Sequence, residues 1–281
     1  PKPNICTGHA ARGMLLVHVP NVSGLGRVFI QPSALTPLVR VLYRFAFRRA
    51  RAIVFQNEDD RGVFVRSGLA DQDRTLRVPG SGVDLERFVP GAAASLEASP
   101  GGEIVFLLVA RLLWDKGVGE FVAAARSIRA EHPHVRFRLL GAATADNPAM
   151  IPRETLQGWL DEGLVTHVDR VDDVRPHLAA AHCVVLPSYR EGVPRSLLEA
   201  AAMGKPLIAP DVPGCRDVVD EGVNGFLCAA KDPESLARAM RRVIAMDPAE
   251  REALGARGRR KVESQFDERQ VLATYLALLP A

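Results

Sequence analysis

From residue 103 onward, short apolar runs alternate with stretches in which apolar positions recur every three or four residues. EIVFLLVAR, VRFRLLG, LVTHV, CVVLPS and PLIAP have the form of buried strands. Residues 117–131, 152–162, 174–181, 194–203 and 214–220 have the form of amphipathic helices, and 233–279 that of consecutive helices. Strands and helices in this alternation predict a parallel sheet covered on both faces. Ligands of such sheets gather beyond the carboxyl ends of the strands. Arg111, Gly141 and Ser188 to Glu191, each just past a strand, are therefore expected around one cleft.

Residues 1–90 repeat the pattern in shorter form, with MLLVHVP, a helix from Pro37 to about Arg51, AIVFQN and a helix over 58–67. This is half of a doubly wound domain. PGAAASLEASPGGE (90–103), rich in Pro, Gly, Ala and Ser, predicts an exposed boundary. The expected organisation is a partial first domain over 1–92, a second domain over 103–265, and a terminal helix in 266–281 returning to the first.

No apolar run approaches the roughly 20 residues that cross a bilayer. The four cysteines have no C-x-x-C spacing, which argues against a zinc site and a disulfide framework, so buried thiols are expected. Charge changes the picture more. The formal net charge is +3, yet the first 57 residues contain no acid, a bias that suits an anionic partner. Arg40, Arg44, Arg48 and Arg51 fall on one face of the helix that follows Thr36-Pro37, with Leu38, Val41, Leu42 and Phe45 as the apolar complement. Two readings stand: contact with acidic lipid headgroups, or a solvated face over a core-packed stripe.

Chemistry concentrates in YREGVPRSLLEAAAMGK. Pro194 suits the first turn of a helix and Gly204 its stop. The N–H groups at that helix start form an anion site. Glu199 lies five residues past Pro194, about 7.5 Å along the axis. A carboxylate beside a bound phosphate is repelled by it, so Glu191 and Glu199 suit sugar hydroxyls one group further away. The plain alternative is that Glu191 complements the helix dipole and Glu199 sits on a solvated face. In VARLLWDKGV, Arg111 and Lys116 at the sheet mouth can clamp a diphosphate, or they are ordinary surface cations.

Together VARLLWDKGVGEFVAAA, LLG, PSYREGVPRSLLEAAAMGKPLIAPDVPGCRDVV and GVNGFLC resemble the retaining GT-B glycosyltransferases of glycosyltransferase family 4 (group 1). The resemblance implies two Rossmann-like doubly wound domains, the first incomplete here. It implies transfer of a sugar from a nucleotide-diphosphate donor, UDP by family habit, to a polyprenyl-diphosphate-linked or polysaccharide acceptor. Arg111 and Lys116 would hold the donor diphosphate, Glu199 the ribose hydroxyls, and Glu191 the donor sugar ring. Backbone amides over Gly192, Val193, Pro194, Arg195 and Ser196 would hold sugar and phosphates, and Gly141 would let the nucleoside approach the backbone. No metal and no cofactor is expected, nor a nucleic-acid partner. A cytoplasmic protein, peripheral on the inner face of the cell membrane, is the expected setting. A sugar-nucleotide epimerase of this fold and a noncatalytic sugar-nucleotide-binding remnant are the rivals.

Two departures from the family pattern stand out. Ser23 occupies a position where many members carry His, and the strand and glycine-rich loop that open the family's first domain are missing, so the chain is expected to lack its N-terminal portion. GLG at 24–26 does not replace that loop. Asp71-Gln72-Asp73 matches D-x-D only formally, His132-Pro133-His134 is expected to be a turn, and Trp114 and Trp159 look isolated.

Overall fold

The computed structural model describes residues 2–11, 14, 16–25, 29, 34–91, 103–143 and 147–279. These form two units.

The first unit comprises Pro1–Gly82, Glu191–Pro194 and Phe266–Ala281. Its elements in chain order are α1 (Lys2–Ala10), β1 (Asn21–Val22), α2 (Thr36–Phe47), β2 (Ile53–Phe55), α3 (Glu58–Arg66) and β3 (Thr75–Arg77). The strands pair in parallel in the order β1-β2-β3, and all of β2 is buried, as expected of a strand covered on both faces. α3 starts where Asn57 Oδ1 accepts the Asp60 N–H at 2.8 Å. Its first turn carries Glu58, Asp59 and Asp60 and its last Arg66, matching the helix dipole. Phe64 packs its ring against Phe29, Tyr43, Phe47 and Phe55 at centroid distances of 5.1 to 6.0 Å.

Two expectations fail in this unit. MLLVHVP does not form a strand over its described residues: Met14, Leu16 and Val17 are exposed, and pairing to β2 begins only where His18 and Pro20 carbonyls accept from Arg51 and Val54 N–H at 2.9 Å. The helix α2 is also rotated from the expected setting. Tyr43, Ala46 and Phe47 are buried, with Val39 against the same core, while Leu38, Val41 and Phe45 are exposed. Gly8 explains the choice: a Cβ there would stand 2.6 Å from that of Ala46, so α1 lies closely on this side of α2.

The second unit comprises Val83–Arg190 and Arg195–Gln265. Its strands are β4 (Ile104–Val109), β5 (Val135–Leu140), β6 (Thr166–Val168), β7 (Cys183–Val185), β8 (Leu207–Pro210) and β9 (Gly225–Cys228). The helices are α4 (Val118–Glu131), α5 (Arg153–Asp161), α6 (Arg175–Ala180), α7 (Arg195–Ala202), α8 (Cys215–Val218), α9 (Pro233–Ala245) and α10 (Pro248–Gln265). The six described strands are parallel in the order β6-β5-β4-β7-β8-β9. The sequence therefore walks outward from β4 to β6, returns, and walks the other way from β7 to β9. That reversal lies between β4 and β7. Val118, Phe121, Val122, Ala125 and Ile128 on one face of α4 and Leu236, Met240 and Val243 of α9 fill the core on the sheet.

Residues 83–91, read from sequence as part of the first domain, go with this second unit. Their backbone is held by Arg259, whose guanidinium donates to the carbonyls of Phe88 at 2.5 Å and Leu85 at 3.3 Å. A last helix, α11 (Glu268–Leu276), belongs to the first unit, where Asn21 Nδ2 donates to the Tyr275 hydroxyl at 2.6 Å and Val271 packs with Val54 and Val78. Among the described residues no helix is long and apolar enough to cross a membrane. Cys183, Cys215 and Cys228 are buried free thiols, whereas Cys6 is exposed, so the expectation of burial fails there.

Candidate active site

In an open parallel sheet the crevice forms where strand order reverses, because the two flanking loops diverge. In the second unit these are the loops after β4 and β7. The first carries Arg111, which is exposed, and a short 3-10 turn, Trp114–Lys116, that ends on half-buried Lys116. Gly117 closes the turn at φ +73°, a left-handed setting, and a Cβ there would overlap the Pro187 carbonyl oxygen.

That close approach locks the two loops together. Tyr189 N–H donates to the Asp115 carbonyl at 3.0 Å, and the Ser188 hydroxyl donates to the same oxygen at 3.2 Å. The Tyr189 hydroxyl donates to Glu120 Oε1 at 2.7 Å, and Lys231 Nζ lies 4.7 Å from the centre of its ring. Burial and the neighbouring Glu120 carboxylate push the Tyr189 phenol far above its ordinary range, so it stays a hydrogen-bond donor.

Gly141, just past β5, has φ +148°, and a Cβ there would overlap the Ala110 carbonyl and stand 3.4 Å from the Arg111 nitrogen. Its N–H donates to the Val168 carbonyl at 3.0 Å and its carbonyl lies 2.9 Å from His167 Nε2. Arg111, Lys116 and Gly141 thus line neighbouring loops at one edge of the sheet.

On α7, Arg195 is exposed, Ser196 is half-buried and Glu199 keeps only 14% of its side-chain exposure. Glu199 therefore does not sit on a solvated face. Burial raises its pKa, opposed by Arg195, whose guanidinium lies 3.1 Å from Oε1, and by Arg87. A carboxylate held this way has its solvent removed and keeps one oxygen for a further donor.

Glu191, Gly192, Val193 and Pro194 go with the first unit. Asn57 Nδ2 donates to the Gly192 carbonyl at 3.0 Å, and a Cβ on Gly192 would overlap the Ser23 carbonyl. The amides expected to hold sugar and phosphates are fewer than the sequence suggested. Pro194 has no N–H, and the Val193 N–H donates to Gln56 Oε1 at 3.1 Å, which leaves Gly192, Arg195 and Ser196.

The sequence reading placed Tyr189 at the cleft without its partner, and it missed Glu120, Lys231 and Arg87, because each meets its partner only through the fold. It also missed that Trp114 and Trp159 stack edge to face at 6.1 Å. Among the described residues no group of three or more His, Cys, Asp or Glu could hold a metal ion. Removing the Tyr189 hydroxyl tests the loop lock. Tyr189→Phe strips half-buried Glu120 of its one donor among the described residues and should lower unfolding stability by about 1 to 3 kcal/mol in denaturant titration.

Comparison with known proteins decides the family. The profile for glycosyl transferases group 1 matches residues 103–246, all of the sheet described above. The chain belongs to the group 1 glycosyltransferases. Its relatives include the Campylobacter jejuni N,N'-diacetylbacillosaminyl-diphospho-undecaprenol alpha-1,3-N-acetylgalactosaminyltransferase, 28% identical over 92% of this chain and 68% of the relative. The D-inositol 3-phosphate glycosyltransferase of Geodermatophilus obscurus is 33% identical over 81% of this chain and 53% of the relative. This glycosyltransferase chain thus spans between about half and two thirds of those relatives' lengths. Among solved structures, sucrose-phosphate synthase from Thermosynechococcus elongatus aligns with TM-score 0.81 at 25% identity, over 98% of this chain and 71% of that one. Anabaena HepE in complex with UDP-glucose aligns with TM-score 0.83 at 21% identity, over 99% and 77%. The fold of this group 1 glycosyltransferase is GT-B.

Proposed function

We propose that the protein transfers a sugar from a nucleoside-diphosphate donor, UDP-linked, to a polyprenyl-diphosphate-linked or polysaccharide acceptor, with retention of anomeric configuration. The observation that supports this best is the switch-point edge of the second unit, where Arg111, Lys116 and the start of α7 offer positive charge and Glu199 offers a desolvated acceptor. Arg111 and Lys116 neutralise the leaving diphosphate, as fixed cations do for developing phosphate charge, so the proposal includes no metal. Glu199 accepts from the ribose hydroxyls and Glu191 engages the donor sugar. The acceptor hydroxyl attacks the anomeric carbon from the face of the departing phosphate, which takes the proton. The named acceptor of the Campylobacter relative and the UDP-glucose bound by HepE support the acceptor and donor classes. The proposed setting is the cytoplasmic face of the membrane, reached through Arg40, Arg44, Arg48 and Arg51.

Incubation of the chain with UDP-sugars, alone and with polyprenyl-diphosphate-linked glycans, tests the reading. An α-linked product from an α-linked donor supports it. A new epimer from donor alone, or an inverted linkage, overturns it.

Glu199 allows binding and stability to be separated. Its raised pKa means that the folded state favours the protonated acid more than the unfolded chain does. Its contribution is therefore present at low pH and lost as pH rises through the folded pKa, and at neutral pH its ionisation costs the fold. Glu199→Gln should unfold at the same or a higher temperature at pH 7 while nucleotide affinity falls about tenfold, the worth of about one charge-assisted hydrogen bond. Loss of both together would mark Glu199 as a structural residue.

A further inference from the structure

The rotation of α2 leaves an apolar ridge with no role in the first unit's core. Leu35, Leu38, Val41 and Phe45 are 63%, 56%, 46% and 45% exposed. At about 100° per residue, Leu38, Val41 and Phe45 cluster on the side of the helix opposite Val39, Tyr43 and Phe47, which face the core. Arg44 and Arg48 flank the ridge on one side and Arg49 on the other. Two arginines of the helix are braced through their guanidinium groups, Arg40 Nη2 donating to the Ser67 hydroxyl and Arg44 Nε to the Gly68 carbonyl, both at 2.9 Å, which leaves the remaining guanidinium nitrogens for further donation. A cavity of about 180 Å³ opens on the basic flank, lined by Arg44, Arg48 and Arg74 with Asp71 as its acid.

We infer that α2 is a membrane-insertion helix, lying in the plane of a bilayer that contains anionic phospholipid. Phe45, Leu38 and Val41 enter the acyl boundary, and the flanking arginines bind headgroup phosphates. The surface contact proposed above used charge alone, and this inference rests on it and adds the apolar wedge. Charge selects the occupant: no acid occurs in the first 57 residues, so an anionic surface meets no repulsion from this stretch. Size selects it too. A ridge on a 12-residue helix runs about 18 Å, too little for the roughly 1,200 Å² of a stable protein interface, yet enough for the weak, two-component attachment of an interfacial helix.

Flotation of the whole chain with vesicles tests the inference, using phosphatidylcholine alone or with about 30% phosphatidylglycerol at about 0.1 M salt. Binding is expected only with the anionic vesicles. Arg48→Glu should weaken it about fivefold or more, and Leu38→Ser with Phe45→Ser about tenfold. In Phe45→Trp, brominated lipid should quench the added indole fluorescence, which reports depth directly. Wild-type binding that Leu38→Ser with Phe45→Ser leaves unchanged, or an indole signal in Phe45→Trp that brominated lipid does not quench, would overturn insertion and leave a charge-only contact. Self-association abolished by the same double variant would overturn it in favour of a second copy. The vesicles carry no donor or acceptor, and UDP binding by the same variants should equal wild type. Failure of insertion therefore stays separate from failure of the transferase reading.

Discussion

Arg111→Ala combined with Lys116→Ala should slow sugar transfer by about a thousandfold and leave the fold intact. Each cation is assigned a charge-assisted hydrogen bond to the donor diphosphate, worth on the order of 1.5 to 3 kcal/mol, and about 1.4 kcal/mol corresponds to a tenfold change in rate. Two such losses give roughly two to four decades. The cost to stability is small because Arg111 is exposed and Lys116 ends a surface turn. The rate should also fall steeply with salt in the wild type and only weakly in the variant, since screening acts on the charges that have been removed. Steady-state rates at two ionic strengths, with thermal unfolding as a control, check this. A rate within a few fold of wild type would remove both residues from the leaving-group site.

Gly117→Ala should damage both the fold and the site of the second unit. The residue sits at φ +73°, where a side chain costs on the order of 1 to 2 kcal/mol, and the new Cβ would overlap the Pro187 carbonyl, whose carbon stands 2.7 Å away. The overlap partner is backbone, so no side chain can turn aside. Either the 3-10 turn or the loop after β7 must move, and the Asp115–Tyr189 and Asp115–Ser188 hydrogen bonds stretch with it. A loss of about 3 kcal/mol or more in denaturant titration is expected, together with nucleotide binding too weak to measure, because Lys116 rides on that turn. Retention of both would mean the two loops are free to separate.

Gly117 was legible in the sequence as a tight turn between a cation and a helix. Its contact with Pro187 was not, because the two are far apart in the chain and only the adjacency of β4 and β7 brings them together. The strands of the second unit were legible because fully buried parallel strands are written as continuous apolar runs. β9 escaped, since Gly225–Cys228 is four residues long and opens with a glycine. In the first unit, α2 starts where expected but ends at Phe47, so Arg51 lies beyond the helix, and the expectation was also wrong about its axis. Its apolar residues occupy both the core side and the outer side, so periodicity alone could not choose, and the close packing at Gly8 could. The stretch Glu191 to Ser196 looked continuous in sequence and is divided between the two units after Pro194, because Asn57 and Gln56 hold its first part.

The central claim is that the switch-point edge of the second unit grips a diphosphate. Calorimetric titration of the chain with uridine, UMP and UDP measures that grip without requiring an acceptor. The account predicts that UDP binds at least about a hundredfold more tightly than uridine, and that Arg111→Ala with Lys116→Ala closes most of the gap. Equal affinities for uridine and UDP, or a gap that survives the double variant, would contradict it.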